Sequence, residues 1–132
     1  MFRWMCLTLG LVFLSTLVGC GNGEAQVSGV VRLNGEPLAE GDIIFEEADK
    51  SKTPAAGKIV AGKYALNVLP GNKVVRINAS RPTAKPDPVM GSAARESAIA
   101  KEFNERSTLK VEIKSGANRD VNFDVKPSPA SK

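Results

Sequence analysis

Leu109-Lys110-Val111-Glu112-Ile113-Lys114 and, after Ser115-Gly116-Ala117-Asn118-Arg119, the stretch Asp120-Val121-Asn122-Phe123-Asp124-Val125-Lys126 decide the fold. In both, apolar residues alternate with charged or polar ones. Successive side chains of a β-strand point to opposite faces. A period of two with one apolar face therefore specifies antiparallel strands buried on one side and wet on the other. Leu109, Val111, Ile113, Val121, Phe123 and Val125 are the predicted inward residues, and the outer charges oppose edge-to-edge aggregation.

The pattern continues upstream. Val27, Gly29, Val31 and Leu33 alternate with Ser28, Val30 and Arg32. Asn34-Gly35-Glu36-Pro37 makes a turn in which Gly35 can take positive φ. Ile43 and Phe45 flank Ile44 in a second strand ending at Glu46-Glu47, and 48–57 reads as a loop. Residues 58–60 and 63–69 pair around Ala61-Gly62, with Tyr64, Leu66 and Val68 on one face. Pro70-Gly71-Asn72 turns the chain before Val75, Ile77 and Ala79. The total is about seven strands, which predicts an all-β, two-sheet antiparallel sandwich over 26–126.

One segment departs from this pattern. Residues 82–106 contain Pro82, Pro86 and Pro88, then SAARESAIAKEF at 92–103. Ser92 is a candidate cap for a short helix placing Ile99 and Phe103 four apart on one face. The segment is expected to be a long crossover packing those residues over the open end of the sandwich. The alternative is a binding loop.

The N-terminus has a different character. Arg3 precedes an apolar run from Trp4 to Val18, which as a helix would be about 22 Å long and short for a membrane span. A basic start and a short apolar run fit a secretory signal. Its end, Leu17-Val18-Gly19-Cys20, resembles the bacterial lipobox. That resemblance implies recognition of Leu17, Val18 and Gly19 by the signal peptidase, cleavage before Cys20, and lipid on the Cys20 thiol. Two or three acyl chains make a stable membrane anchor. Residues 20–25 would be the lipidated Cys and a tether reaching about 17 Å, and 127–132 a frayed Pro/Ser tail.

Removing 1–19 leaves 113 of 132 residues, lowers the formal net charge from +4 to +3, and removes Trp4 and Cys6. The exported part then has no disulfide and no free thiol. The chain contains no His, which excludes His-based acid–base catalysis, triads and His metal sites. Basic residues are interspersed with acidic ones and lack interleaved aromatics, so nucleic acid is excluded as a partner. No cofactor motif is present.

The stretch Val27-Ser28-Gly29-Val30-Val31-Arg32-Leu33-Asn34-Gly35-Glu36-Pro37-Leu38 resembles the opening of carboxypeptidase regulatory-like, or transthyretin-like, β-sandwich domains. Gly41-Asp42-Ile43-Ile44-Phe45 is similar to their second strand. Gly62-Lys63-Tyr64-Ala65-Leu66 with Leu69-Pro70-Gly71 resembles their G-x-Y-x-L and L-P-G hairpin. With the lipobox and a closing L-x-V-E-I-K-x-G-x-N hairpin, the arrangement resembles small planctomycete-type lipoproteins. The resemblance implies an Ig-like or transthyretin-like sandwich without catalytic function. The positions it carries over are structural turn residues: Gly29, Asn34, Gly35, Pro37, Gly62, Pro70 and Gly71. Two departures stand out. Lys73 occupies a position that is commonly aromatic, and Ala61-Gly62 replaces the usual Asp-Gly.

Enzymatic readings fare poorly. Ser107-Thr108-Leu109-Lys110 has S-x-x-K spacing, but on a strand positions i and i+3 face opposite sides. Glu46, Glu47 and Asp49 lack the spacing of a calcium loop and read as a solvated strand end. Asp120 and Asp124 share a strand face with Lys114 and Lys126 near enough to neutralise them. Paired-carboxylate glycosidases and sugar-binding faces both use exposed rings. Here Phe45, Tyr64, Phe103 and Phe123 are mostly core positions. Asn78-Ala79-Ser80 matches a glycosylation sequon without informative context. The expectation is a non-enzymatic, lipid-anchored envelope module that contacts an envelope protein or glycan. The alternative is a carbohydrate- or peptide-binding module using 82–106 or an exposed sheet face. Gly21 after Cys20, in place of an Asp, points by enterobacterial resemblance to the outer membrane.

Overall fold

Alternation becomes geometry along β1 (Ala25–Leu33), where Val27 and Val31 are buried and Gln26 and Arg32 exposed. The computed structural model describes residues 23–129 except 84, 87, 92 and 93. Ten further strands follow: β2 (Glu36–Pro37), β3 (Glu40–Glu47), β4 (Ala55–Val60), β5 (Lys63–Val68), β6 (Gly71–Asn78), β7 (Ser80–Pro82), β8 (Arg95–Ser97), β9 (Lys110–Ile113), β10 (Ala117–Asn118) and β11 (Phe123–Val125). The fold is all-β.

The main sheet runs β10-β1-β5-β4-β3-β6-β9, with β2 and β11 also on β1. β4 and β5 share the single register pair Val60–Lys63, so the sheet curls there and its two halves face each other. β1 and β5 bring Val27, Val31, Tyr64 and Val68 to the interior, while β3, β4, β6 and β9 bring Ile43, Phe45, Ile59, Val75, Ile77 and Ile113. The Phe45 ring lies 6.2 Å from Tyr64 and 6.5 Å from Phe123, edge-on to the latter. Each fully buried large apolar side chain contributes about 1.5–3 kcal/mol, and the described residues contain no Cys to add a disulfide to that core.

Several expectations change. The loop expected at 48–57 ends early, because β4 begins at Ala55 and pairs with Phe45. Small residues at Ala55, Ala56 and Gly57 make this stretch look loop-like, yet they sit against β3. β1 begins at Ala25, a residue assigned to the tether, and Ala25 is fully buried. The candidate short helix within 92–103 is absent among the described residues. Arg95–Ser97 is a strand on β7, and only Lys101–Phe103 makes a 3-10 helical turn. Ser92, its expected cap, lies outside the described residues. Local helix propensity yields to strand pairing and to burial of Ile99, which is fully enclosed in the core. Phe103 packs partly buried against the same cluster. The tail is held as far as it is described. Ile99 bridges Pro127, Ser128 N donates to Ala98 O, and Arg81 donates to Ser128 O.

The closing segment is not a hairpin. β9 pairs antiparallel with β6, whereas β10 and β11 run parallel to β1. Between those two parallel contacts, residues 119–122 bow over Ser28–Val30. Asn122 Oδ1 accepts from Val30 N at 2.8 Å, and Val121 N donates to Ser28 O. Tyr64, paired with Gly29 across β1–β5, donates its hydroxyl to Val121 O at 2.5 Å. A Cβ on Gly29 would lie 2.0 Å from that same oxygen. Gly29 is thus the opening through which the closing strand crosses the first one.

Candidate functional site

The strand registers give the sandwich two poles. Ala25 faces Val68, Glu47 faces Lys73, and Gly71 faces Ile113 at the pole where the chain enters the fold. Leu33 faces Val125, and Val60 faces Lys63, at the far pole. Cys20 with Leu17, Val18 and Gly19 lies outside the described residues. Of the turn residues, Asn34 and Gly35 take φ of 53° and 86° at the β1–β2 turn. Gly62, with φ of 79°, ends the β4–β5 turn, and a Cβ there would lie 2.7 Å from the Pro37 Cβ. Its carbonyl accepts from Val31 N and its N–H donates to Leu38 O. Asn34, Gly35, Pro37 and Gly62 therefore gather at the far pole, where they join the two halves of the sheet. Pro70 and Gly71 link β5 to β6 at the entry pole, and Gly29 lies mid-strand in β1.

The S-x-x-K residues are not brought together as a catalytic pair. The Ser107 hydroxyl donates to Val75 O, while Lys110 begins β9 exposed. Asp120, with φ of 56°, and Asp124 are both exposed. Among the described residues no group of three His, Cys, Asp or Glu is placed to hold a metal ion.

The acidic corner is more ordered than a solvated strand end. Glu47 accepts from the Ser51 hydroxyl at 2.5 Å, from Lys73 Nζ at 3.1 Å and from Lys52 Nζ at 3.3 Å. The Ser51 hydrogen bond first, then Lys73, hold its carboxyl down at about 2. Asp49 is lowered chiefly by the backbone N–H of Ser51. Next to Glu47, Glu46 pairs with Arg76 at 2.9 Å. Lys73 is 5% exposed. The signal for this cluster was present in the sequence, because Lys73 shares the inward phase of Val75 and Ile77 on β6. A lysine in an apolar phase needs a counter-charge, and Glu47 stands opposite it across the β3–β6 pair.

At the far pole the β7–β8 hairpin carries the rest of the long crossover. Arg81 pairs with Glu96 at 2.8 Å, and Arg95 donates to the Ser80 hydroxyl and carbonyl. Beside it a polar cleft of about 510 Å³ is lined by Asp42, Lys58, Ser80, Arg95 and Asn104, among others. Asp42 lies 2.6 Å from Lys58 and raises the lysine's affinity for its proton. Val89 and Met90, near the hairpin tip, are 93% and 62% exposed. Among the described residues no helix is long and apolar enough to cross a membrane.

No protein-family model matches the chain, and no curated protein matches it. Among solved structures, a DUF3823 family protein from Parabacteroides merdae is similar over 80% of this chain at 16% identity, with a TM-score of 0.41. The match spans 46% of that protein, so this chain corresponds to about half its length. The likeness to regulatory-like domains and planctomycete-type lipoproteins accordingly rests on the sequence motifs.

Proposed function

We propose that the chain is an exported lipoprotein whose β-sandwich is a non-catalytic contact module of the bacterial cell envelope. The observation that carries this reading is Leu17-Val18-Gly19-Cys20 at the end of a basic-then-apolar leader, five residues before the first strand. Acylation of Cys20 would hold the entry pole close to the bilayer and present the far pole, with its β7–β8 hairpin, to partners. The outer membrane is the proposed location, on the evidence of Gly21 after Cys20. Absence of His throughout, and of free thiol after cleavage, supports a binding role over a catalytic one. The test is metabolic labelling with a tagged fatty acid. Wild type is expected to incorporate the label and Cys20→Ala to lose it; equal labelling of the two would overturn the assignment.

A second reading is favoured by the polar cleft at the base of the β7–β8 hairpin and by the exposed Val89 and Met90 further along it: a carbohydrate- or peptide-binding module acting through 82–106. In-cell crosslinking separates the two readings. Recovery of one envelope protein supports the contact module, whereas specific glycan-array binding without such a partner supports the second.

A further inference from the structure

We infer that the entry pole holds a second binding site, a cavity for a short peptide bearing a free C-terminal carboxylate. β4 and β5 share a backbone pair only at Val60–Lys63 and meet through Gly57 and Leu66 beyond it. At the other end of the two strands, beside Ala55, Ala56, Asn67 and Leu69, lies a cavity of about 630 Å³, within the range of sites for small ligands. Pro54 and Leu69 give it apolar surface, and Glu47, Lys52 and Lys73 a charged corner.

The corner is built for an incoming acceptor. A lysine ammonium carries three donors. Among the described residues, Glu47 is the one side-chain acceptor placed at hydrogen-bond distance from Lys73 Nζ. That amine is almost wholly buried, and a buried charge needs further hydrogen bonds. Lys73 lines the cavity, so an acceptor entering it could supply such bonds. Lys52 Nζ approaches the same Glu47 oxygen at 3.3 Å, so one carboxylate can bridge both amines with charge-assisted hydrogen bonds.

The balance of charge selects the ligand. Glu24 lines the same cavity. Two carboxylates against two amines make the corner neutral, which disfavours a bare polyanion and suits a zwitterion. A peptide would place its terminal carboxylate between Lys52 and Lys73, its ammonium toward Glu24, and apolar side chains on Pro54 and Leu69. This chemistry is independent of the lipid anchor.

The test uses the full chain in detergent, titrated with leucyl-leucyl-alanine, its C-terminal carboxamide and decanoate while amide NMR shifts are followed. The free tripeptide is expected to shift Ala55, Ala56, Asn67 and Leu69. The carboxamide is expected to bind about tenfold or more weakly, since it cannot bridge two amines as an anion. Lys52→Gln, at a largely exposed position, should weaken binding about tenfold while lowering the melting temperature by no more than a few degrees. Cys20→Ala should bind as wild type does. Equal affinity for acid and amide, no shift at millimolar tripeptide, or binding of decanoate alone would overturn the proposal.

Discussion

Gly29 shows how much a missing atom can decide. The sequence marks it as one of several strand-and-turn glycines, and its alternation with Val27 and Val31 places it on the inward face of β1. What alternation cannot reveal is which backbone crosses there, because Val121 lies 92 positions downstream. The crossing oxygen would lie 2.0 Å from a Cβ, and the Tyr64 hydroxyl also terminates on it. Main-chain atoms on both sides leave little room to yield. Gly29→Ala is expected to lower unfolding stability by about 3 kcal/mol, measured as a reduced urea midpoint. An unchanged midpoint would mean that the closing strand can move aside at no cost. By contrast, Asn34 and Gly35 were readable from sequence alone, since a tight turn between two alternating runs demands positive φ whatever lies elsewhere.

Among the elements, the long crossover separates what local pattern reveals from what it hides. Strands β1, β3, β5, β6 and β9 were legible because one buried face imposes a period of two over several residues. The segment that became β7, β8 and a 3-10 turn was not, because its strands are three residues long and a helical spacing from Ile99 to Phe103 is equally consistent with the residues. Tertiary pairing resolves the tie by placing Ile99 in the core and its backbone against Pro127. The crossover is therefore a structural part of the sandwich at its base, whatever its tip contacts. Ile99→Ala is expected to destabilise by about 3 kcal/mol. Lys101→Ala, exposed in the neighbouring turn, should stay within about 0.5 kcal/mol. Equal small effects, compared by thermal unfolding, would show that the crossover is only draped over the sandwich. The Lys73–Glu47 cluster was half-legible: Lys73 stood out as an oddity, but its partner emerges only from the β3–β6 register.

At the scale of the whole molecule, that cluster ties β3, β6 and the 48–54 loop together, so it should appear in the response to acid. The Glu47 carboxyl falls from 4.5 to about 2 in the folded chain. A depressed carboxylate stabilises fully above its unfolded value, and that contribution is lost as pH falls through the folded one. Wild type should therefore lose melting temperature between about pH 5 and pH 2, and Glu47→Gln should lose distinctly less over that interval. Parallel profiles would show that Glu47 is not coupled to folding. The parallel placement of the last strands beside the first carries another consequence, one that concerns time. β1 finds β5 about forty residues on, but its other edge waits for β10 and β11, with Val30 bonded to Asn122 across 92 positions. Such sequence-distant pairing slows folding, because the chain must close a large loop before any contact rewards it. A chain threaded N-terminus first through a narrow translocation channel cannot complete its first strand until nearly all of it has emerged. If the chain is exported as proposed, that topology would leave the sandwich incomplete until passage is almost over.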